Sequence, residues 1–483
     1  MNKTIAIKSE RLLFREIDLS DTDYIVEWRS DPEVYKSFKN PVEITNEQHI
    51  DWFQNHYLTD DSRIDLMALD ANDDRVGVFG LVIDGDSAEI SYIVAPNQQH
   101  KGFATEGVLR LIKYAIDKYN VSRITAEIKL NNIPSIKLIE KLGFRQLKTH
   151  GDFVTYEFIV VRQLFFRVDG NSEIGLGHVM RCISIAEAAK DYGYNSIFIL
   201  ADDSCLELVS SYGFEGIVLD SDWRDLGVEV DKMRALITQR HIYCLFVDSY
   251  NVSNNYFTSL PCKKFYIDDL GDNVLSVDAL VCYAIYSDDL KLSEHYENTE
   301  LLLGPDYVPL RKEFKQLPTK SINQNVQNIL IMSGGTNPNN ISGKIAEFLA
   351  KTTDYMITVV GDALVNNPKI TVIKETQNIK TLMESADLAI STGGTTLYEL
   401  CACGTPAISY SIADNQLFNV KKFDESGIIK YSGKADDPNL MKIIASLLNE
   451  YSFDFRLEVS RKMQKLIDGN GASKIAKKMI EYS

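Results

Sequence analysis

From Leu164 onward, short apolar runs and helical stretches alternate so regularly that few folds can accommodate the chain. The runs are Leu164 to Val168, Ser196 to Leu200, Gly216 to Leu219, Cys244 to Asp248 and Lys264 to Ile267. Such alternation implies parallel strands with helices over their faces. A polar stretch, Lys315 to Gln327, interrupts it, and the pattern restarts at Ile329 to Met332, Met356 to Val360, Leu388 to Ser391 and Ala407 to Tyr410. The natural reading is two α/β lobes of similar length, 163–318 and 319–483, with a cleft between them. Ligands of such sheets bind beyond the carboxyl ends of the strands.

Residues 1–162 follow another rule. Strands at Ile5 to Ile7, Leu12 to Arg15, Ile64 to Leu69, Arg75 to Ile83 and Ala88 to Val94 come in succession. A helix follows from about Ala104 to Tyr119, with Val108, Leu111, Ile112 and Ala115 at helical spacing. Strand Ile124 to Ile128, a helix at Ser135 to Lys141 and strand Phe153 to Arg162 complete an α+β unit with a mainly antiparallel sheet.

Charge and composition narrow the function. Sixty-eight acidic residues against 51 basic give a net charge of −17, which argues against general nucleic-acid binding. The longest apolar runs, such as Phe158 to Val161, fall far short of the roughly 20 residues that span a bilayer, and Met1-Asn2-Lys3-Thr4 leads into a charged segment. A cytoplasmic protein without a membrane partner is expected. All seven cysteines lie at or after Cys182, with no CxxC pair, so neither a zinc site nor a disulfide framework is indicated. Cys401 and Cys403 read as packing residues of a helix.

Two places carry chemistry. The first is Ile93-Val94-Ala95-Pro96-Asn97-Gln98-Gln99-His100-Lys101-Gly102-Phe103-Ala104, a strand-to-helix turn of the form Q-x-x-G-x-A. Gly102 permits close backbone approach, Ala104 leaves room, and the free N–H groups of the first helical turn suit a pyrophosphate. Further on stand Asn131-Asn132-Ile133-Pro134-Ser135 and Glu140-Lys141-Leu142-Gly143-Phe144. Together these resemble the GNAT acetyltransferase superfamily over nearly all of residues 8–160. The resemblance implies acetyl-CoA held at Val94, Gln99, Gly102, Ala104 and Asn132, and direct acetyl transfer to an amine. Where many members carry a proton-donating Tyr, this chain has Ile139, so Tyr92 or water would have to protonate the leaving thiolate. Glu89 is a candidate for taking the amine proton, or is simply a solvated strand residue.

The second place follows the run Leu164 to Val168: Asp169-Gly170-Asn171-Ser172-Glu173-Ile174-Gly175-Leu176-Gly177-His178-Val179-Met180-Arg181. Met180 stands where a dinucleotide fingerprint needs its third glycine, so that reading fails. What remains is a Gly-rich loop that delivers His178 to a helix N-terminus, where the dipole favours a neutral, proton-accepting ring. Two more Gly turns follow strands, Ser333-Gly334-Gly335-Thr336 and Ser391-Thr392-Gly393-Gly394-Thr395-Thr396-Leu397-Tyr398-Glu399, each suited to phosphate. Asp169, Asp248 and Asp268, at strand ends, read as turn or cap residues and are assigned no role.

With Val247-Asp248-Ser249-Tyr250, Tyr307-Val308-Pro309-Leu310-Arg311 and Asp414-Asn415-Gln416, the ensemble resembles the UDP-sugar hydrolases of pseudaminic acid biosynthesis. These are relatives of a peptidoglycan glycosyltransferase, and the likeness implies a GT-B-like fold of two Rossmann-like lobes. It implies that water displaces UDP at the anomeric carbon with inversion, with His178 as base and Tyr250 and Asn415 in the sugar pocket. UDP-sugar contacts would come from Gly175, Gly177, Arg181, Gly334, Gly335, Gly393, Gly394, Thr395, Thr396, Glu399 and Gln416, with Glu399 on the ribose. No metal is implied, because amides and helix termini can stabilise the leaving UDP. The fusion then suggests two consecutive steps on one nucleotide sugar: N-acetylation of a 4-amino group, then hydrolysis. The rival readings are a glycosyltransferase with an accessory acetyltransferase, and a protein N-acetyltransferase joined to a UDP-sugar-binding module.

Overall fold

A computed structural model of the chain describes residues 6–38, 41–160, 162–240, 242–271, 274–334, 337–376 and 378–482. It forms two units, Met1–Val161 and Arg162–Ser483.

The first unit is built on an eight-stranded sheet. Its order is Ala6–Lys8, Leu13–Glu16, Arg63–Leu69, Arg75–Asp84, Ser87–Val94, Arg123–Lys129, Phe153–Ile159 and Arg145–His150. Neighbours are antiparallel except Ser87–Val94 and Arg123–Lys129, which run parallel and keep register only from Ser87 to Glu89. Beyond Glu89 the two strands part, leaving an opening in mid-sheet.

Side-chain alternation divides the core. Ile64, Leu66 and Ala68 pack under helix Phe103–Tyr119, while Met67 and Leu69 face Ile25, Trp28 and Phe53 of helices Thr22–Ser30 and Asn46–Asn55. The long helix can lie close because Gly107 has no side chain; a Cβ there would stand 2.2 Å from the Phe79 ring. Two elements differ from expectation. The last strand ends at Ile159, and Arg145–His150, exposed along its whole length, is an edge strand without any apolar period. Ile5, expected in the first strand, lies outside the described residues.

The second unit holds two all-parallel sheets. The first runs Glu215–Val218, Asn195–Leu200, Gln163–Val168, Cys244–Asp248, Lys263–Ile267, Ala279–Cys282 and Glu300–Leu303. The second runs Ile370–Ile373, Met356–Val360, Asn328–Met332, Leu388–Thr392, Ala407–Ser411 and Lys430–Lys434. In both, the order reverses between the first strand in sequence and the fourth, the topological switch point at which doubly wound sheets open a crevice. The polar strand Lys430–Lys434 has no apolar signature because it occupies a sheet edge.

The C-terminal helix Gly471–Tyr482, which sequence position alone would give to the second sheet, packs against the first. Tyr482 meets Phe265 edge-on at 5.2 Å and donates to Glu300 at 3.0 Å. Gly471 makes this close approach possible, since a Cβ would stand 2.2 Å from the Val308 carbonyl. One apolar cluster therefore runs through residues of both sheets, from Leu164 and Phe166 to Leu330 and Met479. Among the described residues, no helix is long and apolar enough to cross a membrane.

Candidate functional site

In the first unit, strand Ser87–Val94 ends beside the start of helix Phe103–Tyr119. Gly102 caps that helix at φ +85, in the left-handed region where a side chain would be strained. Glu106 is the first residue to donate into the helix, to the Gly102 carbonyl, so the N–H groups of residues 103–105 have no partner within it. Val94 is buried at the strand end, and its carbonyl accepts weakly from Gln99 Nε2 at 3.4 Å. Ala104 sits half-buried in the first turn. These are the features that fit a pyrophosphate.

Sequence reasoning missed the brace behind the turn. Arg11 donates to Glu106 Oε2 at 2.7 Å and to the Lys101 carbonyl at 3.1 Å, and Ser9 donates to Glu106 Oε1 at 2.6 Å. Burial would raise the Glu106 carboxyl, but the hydrogen bonds from Ser9 and Arg11 outweigh it and hold the group below its ordinary range.

Asn132 caps helix Ile133–Lys141, its Oδ1 accepting from Ser135 N at 3.3 Å, which leaves only its amide NH2 for a ligand. Ile139 is fully buried in the core, so the helix position that often bears a Tyr offers nothing to solvent or ligand. Tyr92 lies on the strand beside the opening, stacked on Phe79 at 6.3 Å, with its hydroxyl 2.7 Å from Ser135 Oγ. Burial raises its phenol above the ordinary value. Glu89 is exposed at the last paired position.

In the second unit, the loop after Gln163–Val168 folds back on itself. Gly170 is enclosed, since a Cβ would stand 2.8 Å from Val179 and 2.9 Å from Cys205. Gly175 requires glycine for its φ of +75, whereas Gly177 faces open space. Helix Gly177–Lys190 then begins, with His178 in its first turn. The ring's Nδ1 lies 2.6 Å from Asp248 Oδ1, at the end of the strand across the switch point. Arg181 Nη2 also lies 3.0 Å from Nδ1, but it is already held by Asp248 Oδ1, and the closer carboxylate favours a proton on Nδ1, which leaves Nε2 as the acceptor.

Arg181, expected to bind the nucleotide, is committed instead beneath the histidine. It donates from Nε and Nη2 to both Asp248 oxygens at 2.5 Å, and from Nη1 to the Tyr283 hydroxyl at 2.9 Å. Its side chain is 9% exposed, and a guanidinium so covered needs the countercharge that Asp248 supplies. Burial would raise Asp248, but Arg181 and then His178 hold its carboxyl far below the usual range. Asp248 is thus no turn residue. The sign of it in the sequence was a lone charge closing the apolar run Cys244-Leu245-Phe246-Val247. Asp169 pairs with Arg167 and accepts from Ala201 N, and Asp268 caps the turn at Leu270. Tyr250 presents its edge to His178 at 4.9 Å and donates to Asp269 at 2.8 Å. A small cavity at this point is lined by His178, Tyr250, Ile174, Trp223, Ser249 and Asn251.

The second sheet brings its loops to its own switch point. Gly334 follows the first strand at φ +69, with Thr392 Oγ1 3.3 Å from where its Cβ would be. Gly335 and Thr336 lie outside the described residues. Gly393 is packed against Val420 and Gln416, Gly394 is open, and Thr395 and Thr396 begin helix Thr396–Cys403. Asn415 is exposed in the short helical turn Asp414–Gln416, and Gln416 accepts from Ile412 N at 3.0 Å. Glu399, expected to face ribose, accepts from Arg311 Nη2 at 2.8 Å. Burial pushes its carboxyl up and Arg311 opposes that shift.

The lobes meet at two tyrosines. Tyr283, which accepts from Arg181, stands edge-on to Tyr398 at 5.8 Å. Tyr398 hydroxyl accepts from Ile285 N and donates to Asn419, and Asn419 Nδ2 donates to the Gly393 carbonyl. His178 and the Gly393 turn are thereby linked through packed side chains, although no hydrogen bond joins His178 to Asn415 among the described residues.

Residues 11–145 match the acetyltransferase (GNAT) domain model. The chain is 34% identical over 148 residues to the N-acetyltransferase p20 of Bacillus licheniformis, covering 29% of this chain and 81% of that protein. It is 21% identical over 325 residues to the spore coat polysaccharide biosynthesis protein SpsG of Bacillus subtilis, covering 64% of this chain and 94% of that protein. It is also 24% identical over 264 residues to the pseudaminic acid cytidylyltransferase and UDP-2,4-diacetamido-2,4,6-trideoxy-beta-L-altropyranose hydrolase of Helicobacter pylori, covering 53% of this chain. A first unit ending at Val161 cannot hold matches of that extent, so both reach into the second. The chain spans about half the length of some relatives: 46% of the Helicobacter protein, and 54% of a Methanocaldococcus jannaschii protein to which it is 27% identical.

Proposed function

Because the chain belongs to the GNAT acetyltransferases through its first unit and carries in its second a homologue of the pseudaminic acid pathway hydrolase and of SpsG, we propose that it performs two consecutive reactions on one UDP-sugar. The first unit transfers acetyl from acetyl-CoA to the 4-amino group of a UDP-4-amino-4,6-dideoxy-N-acetylaltrosamine. The second hydrolyses the UDP-2,4-diacetamido-2,4,6-trideoxy sugar to UDP and free sugar. The observation that supports the second step is the 2.6 Å contact between Asp248 and His178, a histidine that lines a small cavity at a switch point.

Acetyl-CoA supplies an activated acetyl group. Residues 103–105 offer their N–H groups to its pyrophosphate beside Gly102, and Asn132 offers its amide. The neutral amine attacks the carbonyl carbon in the opening past Glu89 and gives its surplus proton to solvent, the carbon–sulfur bond breaks, and Tyr92, backed by Ser135, donates a proton to the departing sulfur. In the second unit His178 Nε2 takes a proton from water as that water attacks the anomeric carbon from the face opposite UDP. Asp248 fixes the tautomer and Tyr250 walls the sugar. The N–H groups at the Gly393 to Thr396 turn stabilise the leaving diphosphate, in a two-lobed GT-B-like arrangement.

The test is incubation with the UDP-4-amino sugar and acetyl-CoA, with mass analysis of all products. UDP together with a free sugar carrying one added acetyl group supports the reading. Transfer of sugar to a second acceptor, or acetylation of protein only, would defeat it.

A further inference from the structure

In the second unit, one loop of the first lobe is docked on two helices of the second. Just past strand Ala279–Cys282, Tyr283 accepts from Arg181 Nη1 at 2.9 Å. Two residues on, the Ile285 N–H donates to the Tyr398 hydroxyl at 3.0 Å, on helix Thr396–Cys403. Tyr286 donates to the Asp269 carbonyl at 2.7 Å, and its ring lies 5.9 Å from that of Phe418 on helix Leu417–Glu425. Asp289, in the short helical turn Ser287–Leu290, pairs with Lys422 of that same helix at 2.6 Å. Backbone, ring and charge thus hold the loop at one seam.

Tyr398 is 2% exposed, and its hydroxyl is used in both directions. A backbone N–H can only donate, so the hydroxyl accepts from Ile285 and sends its own proton to Asn419 Oδ1 at 2.7 Å. That fixes which way the buried Asn419 amide faces, with its NH2 on the Gly393 carbonyl at 2.8 Å. In a planar trans peptide the carbonyl and the following N–H point in opposite directions. Holding the Gly393 carbonyl therefore aims the Gly394 N–H away from Asn419. Among the described residues this N–H donates to no protein group, and a Cβ on Gly394 would meet nothing within 4 Å.

We propose that Tyr398 is a positioning residue for the departure of UDP: held by Ile285 of the first lobe, it sets the Asn419 amide and so turns the Gly394 N–H toward the diphosphate. The assignment rests on the reading that the second unit hydrolyses a UDP-sugar. It makes the donor to the leaving group depend on the docking of the two lobes. The loop that anchors Tyr398 also carries Tyr283, which meets Arg181 beneath His178, so one seam aligns the base with the leaving-group turn.

The test uses the full-length chain and Tyr398→Phe, which keeps the ring against Tyr283 and Phe423 and removes the hydroxyl. Inhibition of hydrolysis by UDP should weaken by about 10- to 100-fold, the range for one hydrogen bond to a charged group. Inhibition by uridine, which has no diphosphate, should be unchanged, and that result also verifies the fold of the variant. Asn419→Asp keeps the acceptor for Tyr398 and loses the NH2 on Gly393, so it should show the same loss specific to UDP. The double variant should lose no more than Asn419→Asp alone, because the two side chains act in series. Unchanged UDP inhibition in Tyr398→Phe overturns the assignment, as does an equal weakening for UDP and uridine or a multiplied loss in the double variant. Calorimetric titration of UDP separates this from the hydrolase reading. If Tyr398→Phe weakens UDP binding there and yet the wild-type chain hydrolyses no UDP-sugar, the diphosphate contact stands and the hydrolase reading falls.

Discussion

Replacing Asp248 with Asn keeps the size of the side chain and removes the charge that organises the second site. In the wild-type protein this 1%-exposed carboxylate accepts from both Nε and Nη2 of Arg181 at 2.5 Å and lies 2.6 Å from His178 Nδ1. The amide can accept through one oxygen only; its NH2 faces Arg181 in either orientation, and faces His178 as well when it takes the place of Oδ1. If it faces His178, the ring takes the tautomer with Nε2 protonated and cannot serve as base. Turnover should fall about 10²–10⁴-fold, the contribution of a positioned acid–base group. KM should change little, because Asp248 acts through His178. Leaving Arg181 buried without its partner should also destabilise the protein by up to about 3–5 kcal/mol.

The pH dependence follows from the depressed carboxyl. A group whose folded pKa lies below its unfolded value contributes stability in full above the unfolded value, near about 4, and loses it as pH falls toward the folded one. The gap in denaturation midpoint between wild type and Asp248→Asn should therefore be level near neutrality and close below about pH 4. UDP release followed by chromatography, with acetyl transfer measured on the same sample as a folding control, reads the catalytic part. Hydrolysis by Asp248→Asn within a few-fold of wild type would refute the argument that this carboxylate sets the tautomer.

Other substitutions separate the two chemistries. His178→Ala should reduce UDP release by about 10²–10⁴-fold and leave acetyl transfer unchanged; near-normal hydrolysis would remove His178 from the role of base. Gly102→Val puts a β-branched residue at φ +85. In thermal melts it should abolish the stabilisation by acetyl-CoA, which for an intact site is about 2.7 kcal/mol at a hundred times Kd. Tyr92→Phe keeps the stack on Phe79 and removes the hydroxyl at Ser135; acetyl transfer should drop about 10²-fold at unchanged CoA affinity. Full activity in that variant would make water the proton donor.

What could be read from the sequence was what has a period or a local motif. The alternation after Leu164 gives nine of the thirteen parallel strands described, and the Gly102 turn announces itself by its Q-x-x-G-x-A form between strand and helix. Arg145–His150 and Lys430–Lys434 escaped because edge strands need no buried face. The partners of each functional side chain were hidden for another reason. Asp248 lies 70 residues from His178, and Arg311 lies 88 residues from Glu399. Such pairs are set by strand order, and no local pattern records them. Arg181 shows the consequence: the resemblance implied a nucleotide contact, and nothing local in the sequence records its pairing with Asp248.

We propose that the two reactions are consecutive on one substrate. A free 4-amino group, largely protonated near neutral pH, disfavours the cationic character that develops at the anomeric carbon. The acetamide removes that charge and adds a carbonyl acceptor, and a site built for such a group can reject its absence by about 10⁴-fold or more. The direct measurement is UDP formation by the full-length chain from the UDP-4-amino sugar, with and without acetyl-CoA. UDP release that requires acetyl-CoA, after a lag in which the acetylated UDP-sugar appears, is the predicted result. Equal rates of UDP release in both mixtures would contradict it.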